Sequence, residues 1–468
     1  MNDRRKEDKP AIVSKRTKQV GEIRDRWSWV EPDVWTERML TALEEGVKGG
    51  KWYSLIDKVY SMKVLRLAFT KVKAREGAAG ADHQTIQMFE KDLEGNLTRL
   101  SKALEKGAYR PQPVRRVWVS KPGTREKRPL GIPTVRDRVV QTAMRMVLEP
   151  IFERDFAEQS YGFRPERGCK DALRRVDDLL KQGYTWVVDV DIKSYFDTIT
   201  HDKVIGLIST KVTDGRMITL IEQHLNQEVM ETAGKWTPEE GTPQGAVISP
   251  LLSNIYLNPL DHYMVDKGIE MIRYADDFVI LCRSEKEAQK ALELVTQWIW
   301  KAELELHPEK TRIVDATQVG GFDFLGYHFE RGSRWPSRKS ANKFRETIRS
   351  KTKRTNGHSM ERIIWDVNRS ARGWFEYFKH SHKRTFSYFD GWIRMRLRSI
   401  LRKRQGRRGV GRGFDHMRWP NAYFAELGLF SMVTAHARSR SILLEVNHRP
   451  ESRVRENRMH GSEGGGAK

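Results

Sequence analysis

The sequence predicts an α+β fold, a β-sheet domain followed by a helical C-terminal region. Three observations predict it. Met271 to Leu281 places apolar runs on both sides of Tyr274-Ala275-Asp276-Asp277, the pattern of two strands joined by a tight turn. Thr185 to Ile192 is a second short run rich in β-branched residues, and it also carries acids, Asp189 and Asp191. From Ala341 to Leu401 the apolar positions fall at helical spacing, with Ile363, Ile364, Val367 and Ala371 on one face.

Taken in order, residues 1 to about 30 are polar and highly charged, so a flexible start is expected. Val34 to Phe69 mixes apolar and charged positions at helical spacing, with a break at Gly49-Gly50. Glu76 to Asp82 is a loop of small residues. Tyr109 to Ser120 opens a β-rich stretch, and Lys121 to Pro133 reads as a hairpin with a basic turn. Val135 to Phe156 and Cys169 to Lys181 have helical patterns, with Tyr161-Gly162-Phe163-Arg164-Pro165 as a corner between them. Leu251 to Leu257 and Lys286 to Trp300 read as further helices. Gly321 to Phe329 reads as another hairpin, where Gly326 allows close backbone approach. Arg331 to Lys339 is expected to be a linker, and Ser439 to Lys468 a basic extension or tail.

Composition narrows the function. The chain has 468 residues, enough for two to four domains, and a 38% hydrophobic content with 14 Trp, 18 Phe and 13 Tyr can fill a core. A formal charge of +23 implies a polyanionic partner, most simply nucleic acid. A membrane partner is disfavoured, since no uninterrupted apolar run approaches ~20 residues. Met1 to Glu7 lacks the apolar core of a signal peptide. Cys169 and Cys282 are the two cysteines, so a disulfide framework is not expected and a reducing cytosol fits.

The acids carry the chemistry. Adjacent carboxylates such as Asp276 and Asp277 repel unless solvent or a cation neutralises them. A hard divalent ion prefers carboxylate oxygen. A solvated Asp-Asp turn is also common, and the pair alone leaves both readings open. Asp189, Asp191 and Lys193 share one strand face, which adds a third carboxylate to the same kind of site. His307 reads as a turn residue, with no partner at metal-ligand spacing.

The succession Asp191-Ile192-Lys193-Ser194-Tyr195-Phe196, then Thr242-Pro243-Gln244-Gly245, then Tyr274-Ala275-Asp276-Asp277 resembles reverse transcriptases. The flanking segments narrow the resemblance to the reverse transcriptase/maturase proteins of group II introns, over about Trp52 to His436. It implies a right-hand polymerase: fingers, an antiparallel palm sheet, and an α-helical thumb or maturase domain. The corresponding divisions are 1–51 (N-terminal extension), 52–160 (fingers), 161–332 (palm with remaining fingers), 333–438 (thumb) and 439–468 (tail). Activity would be RNA-directed DNA synthesis from deoxynucleoside triphosphates on an RNA template with a DNA primer. Intron RNA and target DNA would be further partners, and the location a cytoplasmic ribonucleoprotein associated with the nucleoid.

The resemblance also implies site residues. Asp191, Asp276 and Asp277 would hold two Mg2+ ions, or Mn2+ in their place, with the Ile192 carbonyl as an extra ligand. Lys121 and Arg128 would grip the triphosphate, and Lys310 would contact phosphate. Phe196 would lie under the sugar and exclude a 2′-hydroxyl, against the simpler reading of a core aromatic. Gln244 would contact the nucleotide near its sugar and base. The family's usual second glycine after Gly245 is here Ala246, which is tolerable if its φ is negative. The loop 76–82 would contact template. Leu325, Gly326 and Tyr327 would grip the primer end. Arg164 would pair with template, and Arg394, Arg398, Arg402, Arg404 and Arg407 would bind nucleic acid from the thumb. Trp374 and Trp392 are assigned to the core. Two isolated cysteines cannot supply the paired Cys-x-x-Cys sites of the family's optional endonuclease, so none is expected. A host-adopted enzyme of defence or repair and a mainly RNA-binding splicing factor are the alternatives.

Overall fold

The protein is described here by a computed structural model covering residues 23–120, 127–231, 234–237, 240–242 and 245–447. The expectations for the first 22 residues and for 448–468 lie outside the described residues. The chain divides into two compact units, Met1–Asp315 and Ala316–Lys468.

The strands run in order: β1 Val114–Ser120, β2 Lys127–Ile132, β3 Trp186–Asp191, β4 Val229–Glu231, β5 Gly234–Trp236, β6 Glu270–Tyr274, β7 Asp277–Cys282, β8 Arg312–Asp315, β9 Phe322–Phe324, β10 Tyr327–Glu330 and β11 Ser333–Pro336. The first unit contains an antiparallel sheet of order β6-β7-β3-β8. Val187, Val188 and Val190 on β3 and Phe278 to Leu281 on β7 are buried, so both faces of these central strands are covered. Helices Cys169–Lys181, Ser249–Asp266 and Glu285–Lys301 supply that cover. Ser284 caps the last of these, its hydroxyl accepting from the Glu287 amide at 3.2 Å.

A second sheet has the order β2-β1-β4-β5, with β1 antiparallel to β2 and parallel to β4. The expected basic hairpin is therefore present in β1 and β2, while its tip, 121–126, is outside the described residues. The helix Val135–Glu153 is nearly all buried. Buried Asp137 on it accepts from Tyr109 Oη at 2.6 Å and the Gln112 amide at 3.0 Å, joining helix to sheet. Arg138 donates to the Ala78 carbonyl at 2.8 Å and so braces the small-residue loop 76–82. One continuous apolar core runs from Trp27 to Leu304.

In the second unit, β9, β10 and β11 form an antiparallel sheet. Helices Arg338–Lys351, Met360–Phe378, Arg384–Arg404 and Met432–Asn447 gather around a separate core, with Phe344 and Ile363 to Met432 inside. Trp374 and Trp392 pack against that core, as expected. The expected linker at 331–339 is corrected: Ser333–Pro336 is a strand, and Ser337 caps the following helix. The reason is pairing that composition does not reveal. Trp335 lies opposite His328, with rings 5.3 Å apart, in a segment otherwise rich in Arg and Ser. The hairpin 322–336 belongs to this unit because Tyr327 Oη donates to the Tyr377 carbonyl at 2.6 Å and Tyr377 Oη to that of Leu325 at 2.7 Å.

Candidate active site

Strand register builds the acidic site. Tyr274 pairs with Asp277 across the β6–β7 hairpin, leaving Ala275-Asp276 as a two-residue turn. Ala275 has φ 62° and Asp276 has no positive φ, the sense of a type II′ turn, which normally favours glycine at the first position. The turn fits because Gly162 passes directly over it: a Cβ on Gly162 would stand 2.2 Å from the Ala275 nitrogen. On the other side of β7, Asp191 pairs with Asp277. Three carboxylates therefore lie at one end of a buried sheet.

Burial raises the Asp276 carboxyl, and the negative charge of Asp191 adds to this, while a hydrogen bond to its own backbone and the nearby Arg273 oppose it. Asp277 is pushed up to about 7, by desolvation first and then by the charges of Asp189, Asp276 and Asp191. The residue as a whole keeps an exposed surface while protein crowds its carboxyl, and the water that still reaches it softens the penalty. These groups favour a bound cation for the same reason that they resist ionising together. Hard carboxylate oxygens suit a divalent ion. Among the described residues no three His, Cys, Asp or Glu side chains are drawn in around one point. Asp191 is instead held by Lys310, whose Nζ lies 3.0 Å from Oδ2. Both groups are half exposed, so this pair is weak and easily exchanged.

The strand-like segment before Lys310 fixes the other edge. The His307 amide donates to the Asp191 carbonyl at 2.8 Å, and the Lys193 amide to that of Glu305 at 2.8 Å. That pair of bonds leaves the Ile192 carbonyl out. Phe196 follows in a short 3-10 turn, Tyr195–Asp197, entered through Ser194 at φ 49°. Tyr195 goes inward, its hydroxyl donating to the Ser253 carbonyl at 2.8 Å. Phe196 stays half buried, and its carbonyl accepts from the Thr242 amide at 2.7 Å. Gly245 has φ +109° and a Cβ there would meet the Gly131 carbonyl at 2.5 Å, so this position requires glycine. Ala246 is buried with no positive φ, so its methyl group is accommodated.

Arg128 is exposed on β2. Lys121 and Gln244 lie outside the described residues. In the second unit, Leu325 and Gly326 form a two-residue turn with φ 47° and 80°, the both-positive pattern of type I′. Tyr327 beside them is buried against Tyr377 and Phe378.

Two arginines expected to meet nucleic acid are corrected. Arg164 is buried. Its guanidinium donates to Glu153, at 2.9 and 2.7 Å to Oε1, and to the Ala157, Ser160 and Phe156 carbonyls. Every donor faces inward, so it braces a corner. Arg398 is likewise buried, donating to the Trp419 carbonyl and Asn421 Oδ1, each at 2.8 Å. Arg402 pairs with buried Asp415 at 2.7 Å and is half buried. Arg404 and Arg407 are exposed and Arg394 half buried. Sequence reasoning also passed over Arg273, Asp261, Asn254 and Ser160, which stand behind the acidic turn. The available signal was an arginine inside a strand otherwise built to be buried, which demands a partner.

Comparison with known proteins gives the family. The family described as "Reverse transcriptase (RNA-dependent DNA polymerase)" matches residues 119–329, and "Group II intron, maturase-specific domain" matches 341–418. Protein YkfC of Escherichia coli is 33% identical over an aligned length of 331, a match that covers 62% of this chain and 85% of that protein. The chain belongs to the reverse transcriptase/maturase family of group II introns. Group II intron-encoded protein LtrA of Lactococcus lactis, another relative of these reverse transcriptases, is 32% identical over 50% of this chain and 49% of its own length. A 91 kDa protein in the cob intron of Schizosaccharomyces pombe is 37% identical over 44% of this chain and 25% of its own. The chain thus spans about half or less of these two intron-encoded relatives. Among the described residues, no helix of this reverse transcriptase is long and apolar enough to cross a membrane.

Proposed function

We propose that the chain extends a DNA primer on an RNA template and binds group II intron RNA to assist its splicing and retrohoming into target DNA. The supporting observation is the register that sets Asp191 opposite Asp277 and beside the Asp276 turn, with Asp276 and Asp277 both resisting ionisation. Asp191, Asp276 and Asp277, with the Ile192 carbonyl, would hold two Mg2+ ions, or Mn2+. Bound there, such ions lower the pKa of a primer 3′-hydroxyl and neutralise charge on the triphosphate and departing pyrophosphate. The chain's own residues orient the reactants. Phe196 packs under the sugar and leaves no room for a 2′-oxygen. Arg128 and Lys121 hold phosphate, the guanidinium by two bonds and the ammonium as a point charge. Gln244 adjoins the nucleotide, and Lys310 turns from Asp191 toward phosphate when cations occupy the acids. Leu325, Gly326 and Tyr327 hold the primer end, and exposed arginines of 394–408 hold RNA. Residues 52–160 serve as fingers, 161–315 as palm and 316–438, which includes the hairpin 322–336, as thumb, in a cytoplasmic ribonucleoprotein. The test is primer extension on RNA with Mg2+ or Mn2+: Asp276→Ala abolishes it. A variant within about tenfold of the parent, ~1.4 kcal/mol of barrier, overturns the assignment.

A further inference from the structure

The acidic turn has a second ion pair behind it, facing inward. Arg273 is the residue just before Tyr274, and both it and Asp261 are 0% exposed. Arg273 Nε donates to Asp261 Oδ1 at 2.7 Å and Nη2 to Oδ2 at 2.5 Å, a forked pair. The remaining donors go elsewhere. Nη1 reaches the Ala275 carbonyl at 2.9 Å and Asn254 Oδ1 at 3.0 Å, and Nη2 reaches Ser160 Oγ at 2.8 Å. Asn254 in turn donates to the Gly162 carbonyl at 2.8 Å. The Arg273 backbone bonds to Gln159 and Tyr161 on the same segment, at 2.9 and 2.8 Å. One guanidinium thus ties the helix Ser249–Asp266, the segment 159–162 and the turn together.

The bond to Ala275 is the informative one. Its carbonyl belongs to the central peptide of the turn, the peptide whose orientation separates a type I′ from a type II′ turn. Flipping that peptide would re-aim Asp276. A buried ion pair adds little net stability over an apolar pair of similar volume. We infer that Arg273 is a positioning residue: it holds the Ala275–Asp276 peptide in one orientation so that the Asp276 and Asp277 carboxylates face Asp191 for cation binding. This rests on the metal site proposed above.

The experiment measures Mn2+ binding to the full-length protein by electron paramagnetic resonance, without nucleic acid, beside thermal melting and the Mg2+ dependence of primer extension. Arg273→Met with Asp261→Leu replaces the pair by apolar side chains. The folded double variant is expected to bind Mn2+ at least tenfold more weakly and to need at least tenfold more Mg2+ for half-maximal extension, with unchanged affinity for RNA. Where that variant does not fold, Arg273→Lys decides in the same way, because one ammonium keeps the charge beside Asp261 but cannot also reach Ala275. Parental Mn2+ affinity and Mg2+ dependence in a folded variant overturn the inference. Asp276→Asn is run alongside. If it binds Mn2+ like the parent, the carboxylate site itself is refuted. If it loses Mn2+ while the Arg273 variant does not, only the positioning role falls.

Discussion

Gly162→Ala tests how tightly the acidic turn is seated. The added Cβ would stand 2.2 Å from the Ala275 nitrogen and 2.8 Å from the Tyr274 carbonyl carbon, where ordinary contact begins near 3.4 Å. Backbone must therefore separate by about 1.2 Å, and neither contact is a flexible side-chain end. Gly162 is tied through Asn254, and the turn through Arg273, to the same buried helix, so neither side moves away freely and the displacement reaches the turn. Displacing a catalytic group by ~1 Å costs about 10²-fold in rate. Overpacking of this kind costs ~1–3 kcal/mol of stability, a drop of several degrees in melting temperature. The assay is single-turnover primer extension by rapid quench at saturating Mg2+, with RNA affinity and melting measured on the same preparation. The expected variant is folded, binds RNA normally and extends about a hundredfold more slowly. A rate within threefold of the parent at unchanged melting temperature would show that the segment over the turn is slack and sets nothing.

Three further outcomes are expected. Phe196→Val, which removes a half-buried ring packed against the apolar core, raises ribonucleotide over deoxyribonucleotide incorporation at least tenfold; unchanged discrimination with retained synthesis removes Phe196 from the gate. Replacing exposed Arg404, Arg407 and Arg408 by Ala lowers the slope of log affinity against log salt by ~0.7 to 0.9 for each phosphate no longer neutralised, read by filter binding, and a parental slope makes them a solvated face. His224 is buried with its imidazole lowered by desolvation to about 4, so it is neutral in the fold while the unfolded chain protonates near 6.5. Stability from this residue is whole above pH ~6.5 and is lost as pH falls toward ~4, by up to roughly 3 kcal/mol; His224→Gln should flatten that slope in urea melts, and an identical pH profile refutes the buried neutral histidine.

The sequence made the strands legible because burial on both faces leaves a short apolar run, unbroken in Phe278 to Leu281 and interrupted by Asp189 alone in Val187 to Val190. The hairpin turn was legible because its two acids interrupt one such run. Register was not independently visible, yet two-residue turn geometry fixes it once the turn is placed: Tyr274 must meet Asp277, and Ala275 must take the strained φ. What stayed hidden was long-range pairing of charge. Arg164 and Arg273 look alike in sequence to any basic residue at a nucleic-acid site, but their partners Glu153 and Asp261 lie 11 and 12 residues away in other elements. Sequence gives the charge and withholds the neighbour.

The same limit changes how the basic run of the second unit should be counted. Between Arg394 and Arg408 a reading by composition treats every arginine as a phosphate ligand. Geometry divides them by which way a helix turns them. Arg396 donates to Thr352 Oγ1 at 2.6 Å, Arg398 is buried against the Trp419 carbonyl, and Arg402 is paired with Asp415. Removing any of these leaves a polar group inside without a partner, so it acts first on stability, by ~1–3 kcal/mol. Arg404, though exposed, donates to the Asn356 and His358 carbonyls, whereas Lys403, Arg407 and Arg408 face solvent at the end of the helix and just beyond it. Those cations are able to release counterions from RNA without breaking the fold. A weaker affinity in Arg398→Ala would therefore mean unfolding, and its salt slope should match the parent's wherever the variant is still folded.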